Sequence, residues 1–538
     1  MKADSGKAHD IDVLIVGGGH NGLVAGSYLA RAGLEVQVLE RRSMVGGACV
    51  TEELFPGFHF SSCSFMLYAL HPKVADDLEL HRYGLQVFQL DPFLFRPYPD
   101  GRRLVLHQDA ERNAEAIGAF SRRDAESYRR WNRLWERFHS IVHAYVLTPP
   151  PAYIDLVRRA RETGNLEIFK KVLITSHADL VEEYFESDHV RAAMIHSGDH
   201  GDPRSIGSAL PAAFLPGDVE PERRIVGIVK GGMGAVTRAM AGYLESQGGA
   251  IRTGCQVRRV LVEDGRARGV ELTSGETIRS RLVVSNADPK RTFLDLVEPE
   301  HLPPGFRGRV RGRRTEIGYF KFHAAMDELP DFSSWLGRDY DQRITARVWI
   351  GPSIDYVRRA WRDARRGRPS RQPVMSIQIP SVYDDSICPP GKHVLSIFAE
   401  YAPVRPARGN WDERREEAGE RLIDAVTAYA PNFRRAIADW MLLTPLDLER
   451  RVYLTAGNIH HLDMTPSQVF SRRPLTGWAE YRTPVEGLWL CGAGTHPGGE
   501  VSGAPGHNAA HAILRDLRRG DFQSPGSPSF SDVESTGG

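Results

Sequence analysis

Apolar runs that break on glycine recur along this chain: Asp12-Val13-Leu14-Ile15-Val16 before Gly17, the region from Ile225 to Gly231-Gly232-Met233-Gly234, and Gly487-Leu488-Trp489-Leu490-Cys491 before Gly492. Each leads into residues of helical character, and strand, glycine turn and helix in that order open a dinucleotide-binding βαβ unit. In the first region Gly17-Gly18-Gly19-His20-Asn21-Gly22 fits G-x-G-x-x-G, the helix-like stretch Leu23 to Ala32 follows, and Leu34 to Glu40 reads as a second strand closed by an acid. Gly17 permits the tight turn, Gly19 lets the backbone approach a pyrophosphate, and Gly22 lets helix and strand pack closely. Glu40, 18 residues after Gly22, is placed to accept hydrogen bonds from an adenosine ribose and would repel a 2′-phosphate.

A second glycine pair, Gly46-Gly47-Ala48 after Arg41-Arg42, selects among dinucleotides. Nicotinamide units do not ordinarily need it, whereas the ribityl chain and isoalloxazine of FAD must run on past the first turn.

Downstream of Gly231 to Gly234, a helix-like stretch Ala235 to Gln247 precedes strand-like segments Ala250 to Thr253 and Cys255 to Glu263. Asp264-Gly265 signals a hairpin into Ala267 to Leu272, and Thr273 to Glu276 turns again, so a three-stranded meander is expected. The strand Arg281 to Pro289 then returns to the parallel sheet. Gly231 to Gly234 also suggests a separate NAD(P) site, but the third glycine is missing at the required spacing. The third region, Gly492-Ala493-Gly494-Thr495-His496-Pro497-Gly498-Gly499-Glu500-Val501-Ser502-Gly503, feeds a helix. That much glycine is expected where chain passes close to a ligand, here the flavin end.

Two insertions lie between these pieces. The expected organisation is a discontinuous Rossmann-like FAD-binding domain of α/β type with a β-meander, built from residues 10–75, 225–297 and 454–518. An inserted mixed substrate domain, α+β with a helical part, takes 76–224 and 298–453, and residues 1–9 and 519–538 read as disordered tails. In the first insertion Trp131, Leu134, Trp135, Phe138, Ile141, Val142 and Tyr145 recur at helical spacing. That face is either packed on the core, the wall of an apolar substrate tunnel, or a membrane contact.

Composition excludes little. The 538 residues are 41% hydrophobic and 25% charged with a formal charge of +1, ordinary for a globular chain and giving no field to gather nucleic acid. Five scattered cysteines without a C-x-x-C pair support neither a disulfide framework nor a redox pair. No apolar run approaches a bilayer span, so a cytoplasmic protein is expected, with peripheral membrane attachment left open. The arginine clusters at Arg307 to Arg314 and Arg358 to Arg371 are either solvated surface or contacts to anionic lipid. His196, His200, His460 and His461 tempt a metal reading, but no third ligand can be nominated, and no metal is expected.

The chain resembles the phytoene desaturase-related flavoproteins, and within them the pyridine nucleotide-disulfide oxidoreductase domain-containing protein 2 group and the desaturase-like β-carotene ketolases. The residues carrying this are Gly18 to Ala25, Glu40-Arg41-Arg42 with Gly46-Gly47-Ala48, Val50 to Glu53, Pro56-Gly57-Phe58, Gly231 to Ala235, Ser285-Asn286, Tyr429-Ala430-Pro431, Gly457-Asn458-Ile459 and Gly492 to Gly499. The resemblance implies non-covalent FAD at a domain interface and oxidation or desaturation of a hydrophobic carotenoid-, isoprenoid- or lipid-like molecule. It assigns FAD contacts to Gly17, Gly18, Gly19, Asn21, Gly22, Glu40, Arg41, Gly46, Gly47, Ala48, Val257, Gly492, Gly499 and Val501. One departure is Glu500, where many relatives carry glycine or another small residue.

The leading expectation is an FAD-dependent dehydrogenase or desaturase in which substrate hydride passes to flavin N5 and electrons leave to oxygen or a quinone. The alternatives are a flavin-dependent ketolase or oxygenase, and a flavin-bearing regulatory or interaction protein with little turnover. His496 and Glu500 are the candidate catalytic helpers.

Overall fold

The computed structural model describes residues 11–195, 201–211 and 225–520. The tail segments 1–10 and 521–538, and the histidines at 196 and 200, lie outside the described residues.

The apolar run Ile11–Val16 forms the central strand of a seven-stranded sheet. It pairs in parallel with Val36–Leu39 on one side and Thr277–Ser285 on the other. Ala250–Arg252 and Leu488–Leu490 extend the parallel part. The expected meander is present as Val257–Glu263, Arg266–Leu272 and Thr277–Ser285, joined antiparallel. One nine-residue strand replaces the two separate segments expected at Thr277 and Arg281. Its first half closes the meander, and its second half, Leu282 to Ser285, is buried in the parallel sheet.

Helices His20–Arg31, Gly234–Ser246 and Ala504–Arg519 pack together over one face of this sheet. Arg519 is therefore helical rather than the start of a tail. Small residues permit the close crossings: a Cβ on Gly506 would stand 2.2 Å from the Asn21 carbonyl oxygen.

The insertions build a second seven-stranded sheet, in spatial order Ile437–Leu443, Gly318–Met326, His393–Ala402, Val374–Gln378, Arg347–Ile350, Leu94–Pro97 and Arg103–Leu106. The helix Trp411–Thr427, opened by an Asn410/Glu413 capping box, covers it. Gly318–Met326 is buried along its whole length, the pattern of a strand covered on both faces.

A helical part completes the insertion. Helix Arg122–Val142 starts at Ser121, whose side chain caps the Asp124 amide at 3.1 Å. Its aromatic face is core: Trp131, Trp135 and Phe138 meet His177, Phe185 and Phe169. Tyr145 falls outside the helix, in the tight turn His143–Tyr145. Among the described residues no helix is long and apolar enough to cross a membrane.

Candidate functional site

The first glycine turn is held from below. Gly17 has φ of +101°, a left-handed value that glycine adopts without strain. The Gly18 amide donates to Glu40 Oε2 at 2.9 Å, and the Arg42 amide donates to Glu40 Oε1 at 2.8 Å. Glu40 thus braces the turn with backbone bonds and stays at the end of its strand. Asn286, at the end of the neighbouring strand, donates its Nδ2 to the Gly17 carbonyl at 3.2 Å. A Cβ on Gly19 would stand 2.9 Å from that same nitrogen, and one on Gly22 would stand 2.3 Å from the Gly17 carbonyl oxygen. Gly19 and Gly22 are therefore demanded by packing within the turn.

The arrangement fits a dinucleotide. Gly19 is the N-cap of His20–Arg31 and contributes no capping side chain, so this helix end is left for an anion. Two buried polar atoms beside it, Asn21 Oδ1 and His20 Nε2, have no hydrogen-bond partner in the protein. Burial and the nearby His461 push the His20 imidazole down to about 4, so the ring is neutral at pH 7.

The other glycine segments converge on the same end of the sheet. Gly46 donates its amide to the Gly18 carbonyl at 2.8 Å, and Gly46 and Gly47, with φ of +124° and +57°, are further left-handed glycines. Ala48 follows it, half-buried against Leu448 and Cys63. Gly492 lies so close beneath Asn286 that a Cβ would reach 2.7 Å from its carbonyl oxygen. At Gly499 a Cβ would sit 1.9 Å from His460 Nδ1. The Gly494 amide donates to His461 Nδ1 at 3.2 Å, so His461 serves the loop's geometry. No group of three or more metal-ligating side chains occurs among the described residues.

Val257 opens the meander with its side chain in the core beneath Leu39, and Val501 packs partly against the helices. Arg41 behaves differently from a simple ligand contact. It donates to the carbonyls of Arg450 and Arg451 at 2.8 and 2.7 Å and lies over the Tyr453 ring, which Arg291 covers as well. It ties the cradle to the end of helix Pro445–Val452.

The second fingerprint-like turn is filled by the protein itself. Gly231 donates to Asp384 Oδ2 at 2.6 Å, Met233 to Ser61 Oγ at 2.9 Å and Gly234 to Thr51 Oγ1 at 2.9 Å. Phosphates would have to displace these bonds beside a carboxylate, so the structure offers no NAD(P) site there.

Of the two candidate helpers, His496 is buried, and its Nε2 donates to the Tyr145 carbonyl at 2.7 Å. Burial pushes it down to about 4, so the neutral ring ties the glycine loop to the turn at His143–Tyr145. Glu500 has φ of +70°, and its Oε2 accepts the Tyr68 hydroxyl.

From Tyr68 runs a wall of half-buried aromatic rings: Tyr68, Phe65, Phe88, Phe93 and Tyr383 around Met66, Leu90 and Ile228. Phe65 lies 6.2 Å from Tyr68 and stacks on Phe398 at 5.5 Å. Beside it is a small pocket of about 20 Å³ lined by Phe60, Phe65, Ile228, Met233, Lys321 and Ser396 among others. Lys321 is missed by sequence reasoning. It is 1% exposed, its Nζ stands 5.2 Å from the Phe65 ring, and that nitrogen has no hydrogen-bond partner in the protein. Burial pushes its ammonium down to about 7, against an opposing contribution from Cys63.

The arginine clusters are partly structural. Arg307, Arg309 and Arg313 donate to backbone carbonyls of Leu294, Thr476 and Ser467, and Arg365 pairs with Glu316.

The sequence profile described as flavin containing amine oxidoreductase matches residues 22–399. The chain belongs to that family. It is 36% identical to mouse (Mus musculus) pyridine nucleotide-disulfide oxidoreductase domain-containing protein 2 over 95% of this chain and 94% of that protein. One of the limonene dehydrogenase polypeptides of Castellaniella defragrans is 28% identical over 94% and 95% of the two chains. The neurosporene-forming phytoene desaturase of Cereibacter sphaeroides is 25% identical, again over 94% and 95%. A putrescine oxidase structure superposes with a TM-score of 0.57 at 15% identity, covering 94% of this chain and 98% of that one. That likeness carries the fold. The protein is an FAD-dependent oxidoreductase of this family, related to desaturases and dehydrogenases.

Proposed function

We propose that the protein removes two hydrogens from a hydrophobic, isoprenoid- or lipid-like molecule seated in the aromatic cleft. The observation that carries this reading is the wall of half-buried rings from Tyr383 through Phe65 to Tyr68, which ends on the Glu500 loop. Such rings suit a ligand that is held by burial and oriented by shape, with Lys321, Arg343 and Arg347 lying over Phe65, Tyr383 and Phe93 at 5.2, 5.6 and 4.6 Å. The names of relatives acting on limonene and phytoene agree with it.

FAD would be held by Gly17 to Gly22, Glu40, Gly46-Gly47, Val257 and the loop Gly492 to Val501, and supplies the two-electron acceptor when bound. The chain's own residues do the rest. The aromatic wall excludes water and fixes the substrate, and Lys321 lines the pocket beside Phe65. Oxygen or a quinone is the terminal acceptor in this reading. Four of the five large exposed apolar side chains among the described residues, Tyr153, Ile154, Ile174 and Ile206, fall within the helical part, which supports peripheral contact with the lipid that carries such a substrate.

Anaerobic mixing of the yellow protein with phytoene, limonene and solvent-fractionated lipid extract tests this. The flavin band bleaches with an apolar fraction, and the product is two hydrogens lighter. A product heavier by one oxygen replaces desaturation with the ketolase chemistry, and bleaching by water-soluble compounds alone contradicts the reading.

A further inference from the structure

Glu500 combines two features that the reading above leaves unused. Its φ of +70° lies in the left-handed region, where a residue other than glycine is strained. The loop supplies glycine at Gly498 and Gly503, which also have positive φ, yet carries a glutamate here. Its carboxylate is also engaged at the loop end of the aromatic wall, where Oε2 accepts the Tyr68 hydroxyl. The two segments are joined: the His71 amide donates to the Ser502 carbonyl at 3.1 Å, which fixes the stretch after Tyr68 against the stretch after Glu500. Gly499, next to Glu500, packs so closely on His460 that a Cβ there would stand 1.9 Å from its Nδ1. The Glu500 and Tyr68 side chains are half-buried.

We propose that Glu500, positioned by Tyr68, accepts the proton that the substrate releases as it is oxidised. This rests on the cleft being the site of FAD-dependent oxidation. The step balances as follows: one substrate C–H bond breaks with both electrons, which leave as hydride to FAD, the oxidant. An adjacent C–H bond breaks heterolytically, its electron pair forms the new double bond, and its proton goes to the Glu500 carboxylate. Tyr68 keeps its own proton and holds the carboxylate in place. Two other bases compete: His496, whose Nε2–H is committed to the Tyr145 carbonyl but whose buried Nδ1 has no hydrogen-bond partner, and Lys321, beyond Phe65.

Holoproteins carrying Glu500→Gln, Tyr68→Phe and Lys321→Met are compared with wild type on two readouts. The flavin midpoint potential against pH needs no substrate. A carboxylate beside bound flavin would bind its proton more tightly once the ring is reduced and negative, so the wild-type plot bends. The bend vanishes in Glu500→Gln, moves in Tyr68→Phe and persists in Lys321→Met. A plot of the same shape in wild type and Glu500→Gln overturns the proposal. The second readout is the pH profile of anaerobic bleaching by phytoene in detergent micelles. Glu500→Gln slows it at least ~100-fold with FAD content unchanged, and an equal slowing in Lys321→Met alone would assign the base to Lys321. If no fraction bleaches the wild type, the functional reading fails and the proton-acceptor role with it, while the potential plot still shows whether Glu500 is coupled to the flavin.

Discussion

Glu40 Oε2 accepts the amide of Gly18 at 2.9 Å, so the end of the second strand supports the first glycine turn. A carboxylate expected to read a ribose also holds the backbone that surrounds the phosphates. Glu40→Ala leaves a buried amide without an acceptor, a loss of about 1–3 kcal/mol. FAD affinity falls by roughly 10- to 100-fold, measured by quenching of flavin fluorescence on titration. Glu40→Gln keeps an acceptor oxygen for Gly18 and falls between the two.

Gly22→Ala places a Cβ 2.3 Å from the Gly17 carbonyl oxygen, a backbone atom already held by Asn286 Nδ2. The turn must open. The variant is purified without the visible flavin spectrum and does not regain it with added FAD, while far-ultraviolet circular dichroism shows the folded chain.

Glu52 is 8% exposed and joins three elements. Burial pushes its carboxyl up, but hydrogen bonds from Arg451 and Ser62 and the charge of Arg42 outweigh it and hold it below the ordinary 4.5. A lowered folded value means that the stabilisation is full above the unfolded value near 4.5 and is lost as pH falls through the folded one. The Tm of Glu52→Gln therefore lies below wild type at pH 7, and the gap narrows as pH drops below 4.5. A gap of constant size at acid pH would separate Glu52 from that network.

Lys321 gives the opposite sign. Its folded value is pushed down to about 7 from 10.5, so the unfolded chain binds the proton more tightly, and stability rises with pH across that window. Lys321→Met removes this penalty and raises Tm most at pH 7 and below. The gain shrinks toward pH 10.5, which thermal scans in a buffer series check.

The cradle was legible because its signals are local. Gly17 to Gly22, Glu40 and the Asp264-Gly265 hairpin lie within short stretches whose spacing reports their geometry. Asn286 and Glu52 act through contacts hundreds of residues away or across elements, as when Asn286 fills the space that Gly19 and Gly22 leave open. The second sheet escaped for a similar reason: Leu94–Pro97 pairs with Arg347–Ile350 through the single register Val348 to Phe95, and no periodicity announces that partner. The one charged side chain inside Gly318–Met326 was the available sign of Lys321, since an unpaired lysine in a wholly buried strand is rarely mere packing.

Anaerobic bleaching by phytoene micelles in wild type and Phe65→Gln tests the aromatic cleft as the substrate site most directly. The wild-type flavin band bleaches, while Phe65→Gln keeps its FAD spectrum and needs about tenfold more substrate, the loss of one buried aromatic contact. Equal titrations for the two proteins, or a wild type reduced only by water-soluble amines, would contradict the account.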